Sequence, residues 1–166
     1  MMKKSVLILC VNVLLVVCSC DNSHYFFREN VSVTNEIWAV QDKIPFRFTV
    51  SDTLKNYTVG FNIRYTNAYP KQNLYVFLHT VFPDGLRAND TLSIDLFSAD
   101  GTPIGKGNRV IELQQSFSQV RFPMAGQYFM ILEQAMRTDS LSGIVSMGLY
   151  IVEPENVPPY CGSSLQ

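Results

Sequence analysis

The sequence predicts an all-β fold, an antiparallel β-sandwich of about 7–9 strands with jelly-roll or Ig-like connections. The first observation is that β-branched and aromatic residues recur with a period of two, as in strands with one buried face. The second is that Pro, Asn, Asp and Gly interrupt these segments roughly every 10–15 residues, where tight reversals need them. Convincing helical periodicity is missing, which favours a sandwich over an α/β fold.

The alternating segments are the clearest strands. Residues 46–50, 59–65 and 92–97 place apolar and polar side chains on opposite faces. Each is therefore predicted to have one face on the core and one in water. Residues 74–81 and 128–132 are continuously apolar instead, which predicts strands covered on both faces.

Weaker signals complete the chain. Residues 147–152 form the last predicted strand, and 134–140 have the composition of a single helical turn. Phe122-Pro123-x-x-Gly126-x-Tyr128 resembles the tyrosine corner of β-sandwiches, although a buried strand tyrosine explains Tyr128 equally well.

The N-terminus has the pattern of an export signal. Lys3 and Lys4 precede an apolar run over residues 5–17, which is shorter than the roughly 20 residues that span a bilayer. Val17-Cys18-Ser19-Cys20 resembles the bacterial lipobox, in which a peptidase cuts before a Cys that then carries acyl chains. This resemblance implies lipid attachment at Cys20. The alternative is an ordinary secretory signal that leaves Cys20 a plain thiol.

These features divide the chain into four parts. Residues 1–19 are predicted to be a lipoprotein signal peptide, 20–36 a lipidated N-terminus and tether, 37–153 the β-sandwich domain and 154–166 a C-terminal tail. Loss of Lys3 and Lys4 leaves 11 basic and 14 acidic residues, which argues against a nucleic-acid partner. Of the four cysteines only Cys161 would remain unmodified, so an internal disulfide framework is excluded.

Motifs for catalysis or metal binding are not convincing. The 101–107 glycine-rich segment lacks the spacing and the final Ser or Thr of a phosphate loop. His24 and His79 have no metal ligands at suitable spacing, and His79 lies within an apolar strand, where a structural histidine is expected. We therefore predict no catalytic residues, no metal, no cofactor, no small-molecule substrate and no enzymatic activity.

Two sets of side chains are candidates for surface functions. Tyr65, Tyr69, Tyr75 and Phe77 are core residues or, alternatively, a glycan platform or partner surface. Asp52-Thr53-Leu54, Asp90-Thr91-Leu92 and Asp139-Ser140-Leu141 share one pattern that resembles the O-glycosylation signal of exported Bacteroidetes proteins. The resemblance implies Thr53, Thr91 and Ser140 as acceptors; the alternative is that Asp-Thr simply suits the start of a strand.

Several motifs in a fixed order carry a family resemblance. They are Arg64-x-x-Asn67-x-Tyr69-Pro70-x-x-Asn73, Phe82-Pro83-Asp84-Gly85, Phe122-Pro123-x-x-Gly126-x-Tyr128, Gln134-Ala135-Met136-Arg137 and Met147-Gly148-Leu149. Together they resemble the gliding motility lipoprotein GldH family of the Bacteroidetes.

The resemblance implies a non-enzymatic interaction component of the cell envelope, associated with gliding motility and its linked secretion machinery. Its expected partners are the membrane, through the N-terminal lipid, and other envelope proteins of the gliding apparatus. The expected location is periplasm-facing, anchored to the inner or outer membrane. The alternative function is a glycan-binding module of the envelope.

The first motif is the predicted signature region. Arg64, Asn67, Tyr69, Pro70 and Asn73 surround one turn between two strands. They form either a partner surface or an Arg and Asn network that closes one end of the sandwich by satisfying backbone carbonyls.

Overall fold

The structure is a computed structural model that describes residues 25–153. Predictions for the signal peptide, for Cys20 and for the tail from residue 154 lie outside the described residues. Within them the chain forms eleven strands and a short 3-10 helix, Thr34–Glu36. The strands are β1 (Tyr25–Ser32), β2 (Ile37–Ala39), β3 (Ile44–Val50), β4 (Tyr57–Tyr65), β5 (Asn73–Val81), β6 (Arg87–Asp95), β7 (Lys106–Gly107), β8 (Ile111–Val120), β9 (Gly126–Gln134), β10 (Ser140–Ser142) and β11 (Ile144–Val152).

Two antiparallel sheets form the sandwich. One has the order β1-β11-β4-β8-β7 and the other β3-β9-β5-β6, while β10 and β2 form a small third sheet. Aromatic rings from both large sheets meet between them: the Phe26 ring lies 5.0 Å from Tyr57 and 6.5 Å from Phe48. The predicted fold class is confirmed, with slightly more strands than expected because short pairings such as β7 and β10 have no sequence signal.

The first strand corrects the predicted domain boundary. Residues 25–32 belong to the predicted tether, yet they pair with β11 at the edge of the five-stranded sheet. The polar run Arg28-Glu29-Asn30 masks the strand pattern in the sequence. Phe26, Phe27 and Val31 nevertheless pack against the core. The folded domain therefore includes residues before 37.

The prediction of which strands are covered on both faces was wrong. Residues 74–81 in β5 alternate, with Leu74, Val76 and Leu78 buried. β4 instead is buried on both faces over most of its length, although its sequence alternates. The reason lies in Gly60, where the absence of a side chain lets the Tyr150 ring lie across the outer face of the sheet. The predicted helical turn at 134–140 is a bend between β9 and β10.

The two ends of the sandwich can be told apart by where β1 begins. Loops 51–56, 82–86 and 121–125 lie at the end where β1 begins, since Tyr25 pairs with Val152 and Val50 pairs with Gly126. We call this the entry end. Loops 66–72, 96–105 and 135–139 lie at the opposite, far end. In the described residues, no helix has the length and apolar character needed to cross a membrane.

Candidate functional site

The candidate site is an open groove on the outer face of the four-stranded sheet, toward the far end. It encloses about 750 Å³, and its floor is formed by β5 and β6. The loop before β10 forms one wall, and the turn after β4 contributes the other. We call it the aromatic groove and define it by seven residues: Pro70, Lys71, Tyr75, Phe77, Thr91, Met136 and Arg137.

Strand geometry explains why two aromatic rings lie exposed on the groove floor. Successive side chains of a strand point to opposite faces, so burial of Leu74, Val76 and Leu78 turns Tyr75 and Phe77 outward. Their exposed fractions are 42% and 39%. Large exposed rings that are neighbours on one face are a feature of binding surfaces.

A buried amide fixes the wall of the groove. The Gln134 side chain is almost fully buried, and its Nε2 donates to the Thr138 carbonyl over 2.8 Å. Its Oε1 accepts from the Met136 N–H at 2.9 Å. The Ala135 N–H donates to the Tyr75 carbonyl over 2.9 Å, which ties the wall to the floor. This wall is therefore preformed, because hydrogen bonds hold it together and fix it to the floor of the groove.

The floor continues into a charged network across the sheet. The Lys43 ammonium lies 2.7 Å from Glu133 Oε2, and His79 Nε2 lies 3.2 Å from the same oxygen. His79 Nδ1 is 2.6 Å from Asn89 Oδ1. The hydrogen bond from Lys43, with a smaller contribution from His79, lowers the pKa of Glu133. The network connects three strands and the loop before β3.

The structure places four of the five signature residues around one turn and leaves Arg64 apart from them. Tyr69 is buried, and its hydroxyl donates to the Asn73 carbonyl over 2.8 Å. Asn67 and Pro70 are exposed at the far end. Arg64 lies on the outer face of the five-stranded sheet, paired in register with Glu112. Among the described residues no hydrogen bond joins Arg64 to the other four, so Tyr69 rather than Arg64 satisfies a carbonyl at this turn.

The aromatic candidates separate into two groups. Tyr65 and Tyr69 are core residues, with the single Tyr65 hydroxyl proton shared between the carbonyls of Leu96 and Ile104. Tyr75 and Phe77 lie on the groove floor. Tyr128 is buried, and its hydroxyl donates to the Met124 carbonyl four residues earlier, the hydrogen bond expected of a tyrosine corner.

The three hydroxyl candidates for glycosylation differ in exposure. Thr91 and Ser140 are exposed, and both border the aromatic groove. Thr53 is half-buried in the loop between β3 and β4. Asp52 in this loop accepts a hydrogen bond from the Leu54 N–H, which is the local role expected of a turn aspartate.

Sequence reasoning missed Lys71 and the role of residues 134–137 as a wall. Only the family pattern drew attention to the latter. Both cations, Lys71 and Arg137, lie at the groove without an ion pair among the described residues. In residues 25–153 no group of His, Cys, Asp and Glu is arranged to hold a metal ion. The arrangement is suited to binding by ring stacking and apolar contact beside positive charge.

Comparisons with known proteins identify related chains. The family described as GldH lipoprotein matches residues 25–151. The gliding motility lipoprotein GldH of Flavobacterium johnsoniae is 27% identical over 85% of this chain and 92% of that protein. The GldH homolog of Christiangramia forsetii is 27% identical over 86% of this chain and 92% of its own length. Among solved structures, infectious bursal disease virus VP2 is 13% identical with a TM-score of 0.38, covering 84% of this chain and 35% of VP2.

Proposed function

Because the chain belongs to the GldH lipoprotein family, we propose that it is a lipid-anchored, non-enzymatic interaction component of the cell envelope that serves gliding motility and its linked secretion machinery. Membership of a lipoprotein family implies a membrane-anchored location in the envelope. The matched relatives are named for gliding motility. The finer assignments are the anchor residue, the orientation and the partner surface.

The anchor residue is Cys20, and the folded domain faces the periplasm. The lipobox-like sequence before Cys20 supports this, since two or more acyl chains hold a protein stably on a membrane without a spanning helix. Cys20→Ala should release the protein into the soluble fraction of host cells. Cys18→Ala, which keeps the acceptor cysteine, is the matched control and should stay with the membranes. Membrane retention of Cys20→Ala would refute the anchor.

The aromatic groove is the observation that carries the interaction role. Two exposed rings, next to two cations that have no ion pair within residues 25–153, have the composition of a protein-binding centre, where aromatic residues and Arg are enriched. The proposed partner is another envelope protein, which would cover Tyr75 and Phe77 with its own apolar side chains. Partner binding here requires no catalytic group.

Site-specific photo-crosslinking tests the groove. A benzophenone amino acid replaces Phe77 in the groove, or Phe129 as a control. Phe129 has a similar exposed fraction, 36%, and belongs to the same four-stranded sheet outside the groove. Crosslinks to a discrete envelope protein from position 77 and not from 129 are expected. Equal crosslinking from both positions would contradict a partner site in the groove.

Glycan binding is the second candidate function, favoured by the same exposed rings. Tyr75 and Phe77 point outward from one strand with Thr91 and Arg137 beside them, which suits a sugar that stacks on rings and hydrogen-bonds at its edge. Specific binding on a glycan array, lost in Tyr75→Ala and retained in Phe129→Ala, would favour this function over protein docking.

Glycosylation is proposed at Thr53, Thr91 and Ser140. Exposure of Thr91 and Ser140 supports modification at these two positions. Intact-mass measurement of protein purified from its own host should show added sugar mass, which Thr91→Val and Ser140→Ala each reduce. An unmodified mass would remove the proposal and leave Thr53 as an ordinary loop residue and Thr91 and Ser140 as ordinary strand residues.

A further inference from the structure

We propose that the entry end of the sandwich rests on the membrane surface and that Leu54 and Leu86 insert their side chains into it. This inference rests on the proposed lipid anchor at Cys20. The two leucines lie at the entry end, whereas the aromatic groove lies toward the far end.

The two leucines are the most exposed large apolar side chains in the described residues. Leu54 is 76% exposed and Leu86 is 67% exposed. They lie in different loops, between β3 and β4 and between β5 and β6, yet both loops are at the entry end. A single exposed leucine is ordinary, whereas two at the same end of the sandwich give that end two apolar contact points for one surface.

The same turn geometry presents both leucines. Asp52 Oδ1 accepts a hydrogen bond from the Leu54 N–H at 2.9 Å, and Asp84 Oδ1 accepts one from the Leu86 N–H at 3.0 Å. In each case an aspartate two residues earlier fixes the backbone of the leucine. The side chains therefore point out of ordered turns.

Contacts with the body of the sandwich hold both loops in place. Arg121 Nε donates to the Thr53 carbonyl over 2.8 Å, and the Tyr57 hydroxyl donates to the Asp52 carbonyl over 3.0 Å. The second loop is closed by hydrogen bonds between Phe82 and Leu86 and between Gly85 and Phe82. A rigid loop loses little conformational entropy when its tip enters an apolar medium.

The length of the chain before Tyr25 determines which occupant can reach this surface. Cys20 is five Cα steps from Tyr25, and an extended chain spans at most about 3.6 Å per residue, or roughly 18 Å in total. Tyr25 is the first residue of β1 and pairs with Val152 at the entry end of the five-stranded sheet. A lipid on Cys20 therefore keeps the entry end next to the bilayer. The far end, with the aromatic groove, points away from it.

The charges at the entry end are balanced, so contact with the membrane would depend on the apolar leucines rather than on charge. Within residues 25–153, this end has three basic residues, Lys55, Arg87 and Arg121, and three acidic ones, Asp52, Asp84 and Glu153, with Lys55 paired to Glu153 at 3.0 Å. A balanced surface gains little from anionic lipid. Membrane contact through the leucines should therefore persist at high salt.

Tryptophan scanning in vesicles tests the inference. Full-length lipoprotein carrying Leu54→Trp or Leu86→Trp is purified from host membranes and reconstituted into phosphatidylcholine vesicles with brominated acyl chains. Both variants should show a blue-shifted emission and quenching by the bromolipid, unchanged by added salt. Ile37→Trp is the control, because Ile37 is 47% exposed and lies at the far end. The wild type gives the background fluorescence of the buried Trp38, which is subtracted from that of each variant.

Flotation of the same vesicles separates this inference from the anchor. Protein that floats while tryptophan at 54 and 86 is not quenched overturns the membrane contact and leaves the anchor intact. Protein that does not float refutes the anchor itself. A blue shift in detergent that rises with protein concentration, without bromolipid quenching, would show that a second copy covers the leucines, which also overturns the inference.

Discussion

Gly143 and Gly101 have nearly the same left-handed backbone, with φ of 81° and 83°, but different surroundings. A Cβ on Gly143 would lie 2.4 Å from the Tyr69 backbone nitrogen, while one on Gly101 meets nothing within 4 Å. Gly101→Ala should therefore cost only the conformational strain, about 1 kcal/mol of unfolding free energy. Gly143→Ala should cost about 3 kcal/mol or more, because the backbone of the signature turn must also move.

Urea unfolding followed by fluorescence of Trp38, the single tryptophan of the chain, measures both changes. If Gly143→Ala and Gly101→Ala lowered the unfolding free energy equally, the 66–72 loop would be able to move away from the added Cβ at no cost. The signature turn would then have no fixed relation to the start of β11.

Loss of the Tyr69 hydroxyl should also destabilise the signature turn. Tyr69→Phe removes the hydroxyl that donates to the Asn73 carbonyl and should lower the unfolding free energy by about 1 kcal/mol. Burial raises the pKa of Tyr69, so the hydroxyl keeps its proton throughout the physiological range. Tyr75→Phe, at a half-exposed ring, is the control and should change stability little. If Tyr69→Phe abolished partner crosslinking without loss of stability, the turn would be a binding site instead.

The difference between Tyr69 and Tyr75 could not be read from the sequence. Tyr65, Tyr69, Tyr75 and Phe77 all occur in aromatic segments with the same local composition. Burial follows from the face that each residue occupies, and that face depends on where the strand begins and which sheet it joins. The prediction at Cys20 needs no such information, because the proposed cleavage depends on the local sequence alone.

At the scale of secondary structure elements, Glu133 joins β9 to β5 and to the loop before β3. Its pKa is lowered in the folded state, mainly by the hydrogen bond from Lys43. A depressed folded pKa stabilises the protein above the unfolded pKa, and this contribution is lost as the pH falls through the folded value. Glu133→Gln should therefore destabilise the protein at neutral pH, and the difference from wild type should shrink as the pH falls below the ordinary pKa of a glutamate and vanish below the folded pKa.

Unfolding free energies of wild type and Glu133→Gln across this pH range check the prediction. Glu112→Gln is a suitable control, since its contact with Arg28 is a long 3.9 Å and both side chains are well exposed. A constant difference between wild type and Glu133→Gln at all pH values would show that the amide loses packing or hydrogen bonds rather than charge.

Elements with strong periodicity were predictable, and their environments were not. The alternating residues 59–65 lie within β4, but Gly60 and the Tyr150 ring cover a face that alternation assigns to solvent. β8, with Gln114, Gln115 and Ser116 at its centre, pairs with the whole length of β4 without an apolar pattern of its own. β7 pairs with β8 only at Ile111 and Glu112, so most of β8 is held in the sheet by its hydrogen bonds to β4.

For the molecule as a whole, the point where the chain enters the sandwich determines which end lies nearest the proposed anchor. The proposed anchor and the two leucines are at the entry end, while Tyr75 and Phe77 are toward the far end. Strands of nine residues separate these ends by roughly 30 Å, at about 3.3 Å per residue. A lipid-held sandwich would thus keep its binding groove accessible above the membrane while the opposite end bears on it.

The last prediction tests whether β1 belongs to the fold or to a tether. A chain beginning at Tyr25 should fold, whereas one beginning at Ile37 should be largely unfolded. The shorter chain loses Phe26, Phe27 and Val31 from the core and leaves the edge of β11 unpaired. Full burial of each such side chain contributes about 1.5–3 kcal/mol, and these are partly buried, yet their sum approaches the 5–15 kcal/mol of a typical domain.

Far-ultraviolet circular dichroism with thermal melting compares the two chains. Phe26→Ala in the chain beginning at Tyr25 provides a graded intermediate, with a loss below the roughly 3 kcal/mol of a fully buried phenylalanine, because Phe26 is only partly buried. A chain beginning at Ile37 that melted cooperatively within a few degrees of the longer one would restore residues 25–36 to the tether. The reach of the lipid anchor would then increase, and the entry end would no longer be confined to the membrane surface.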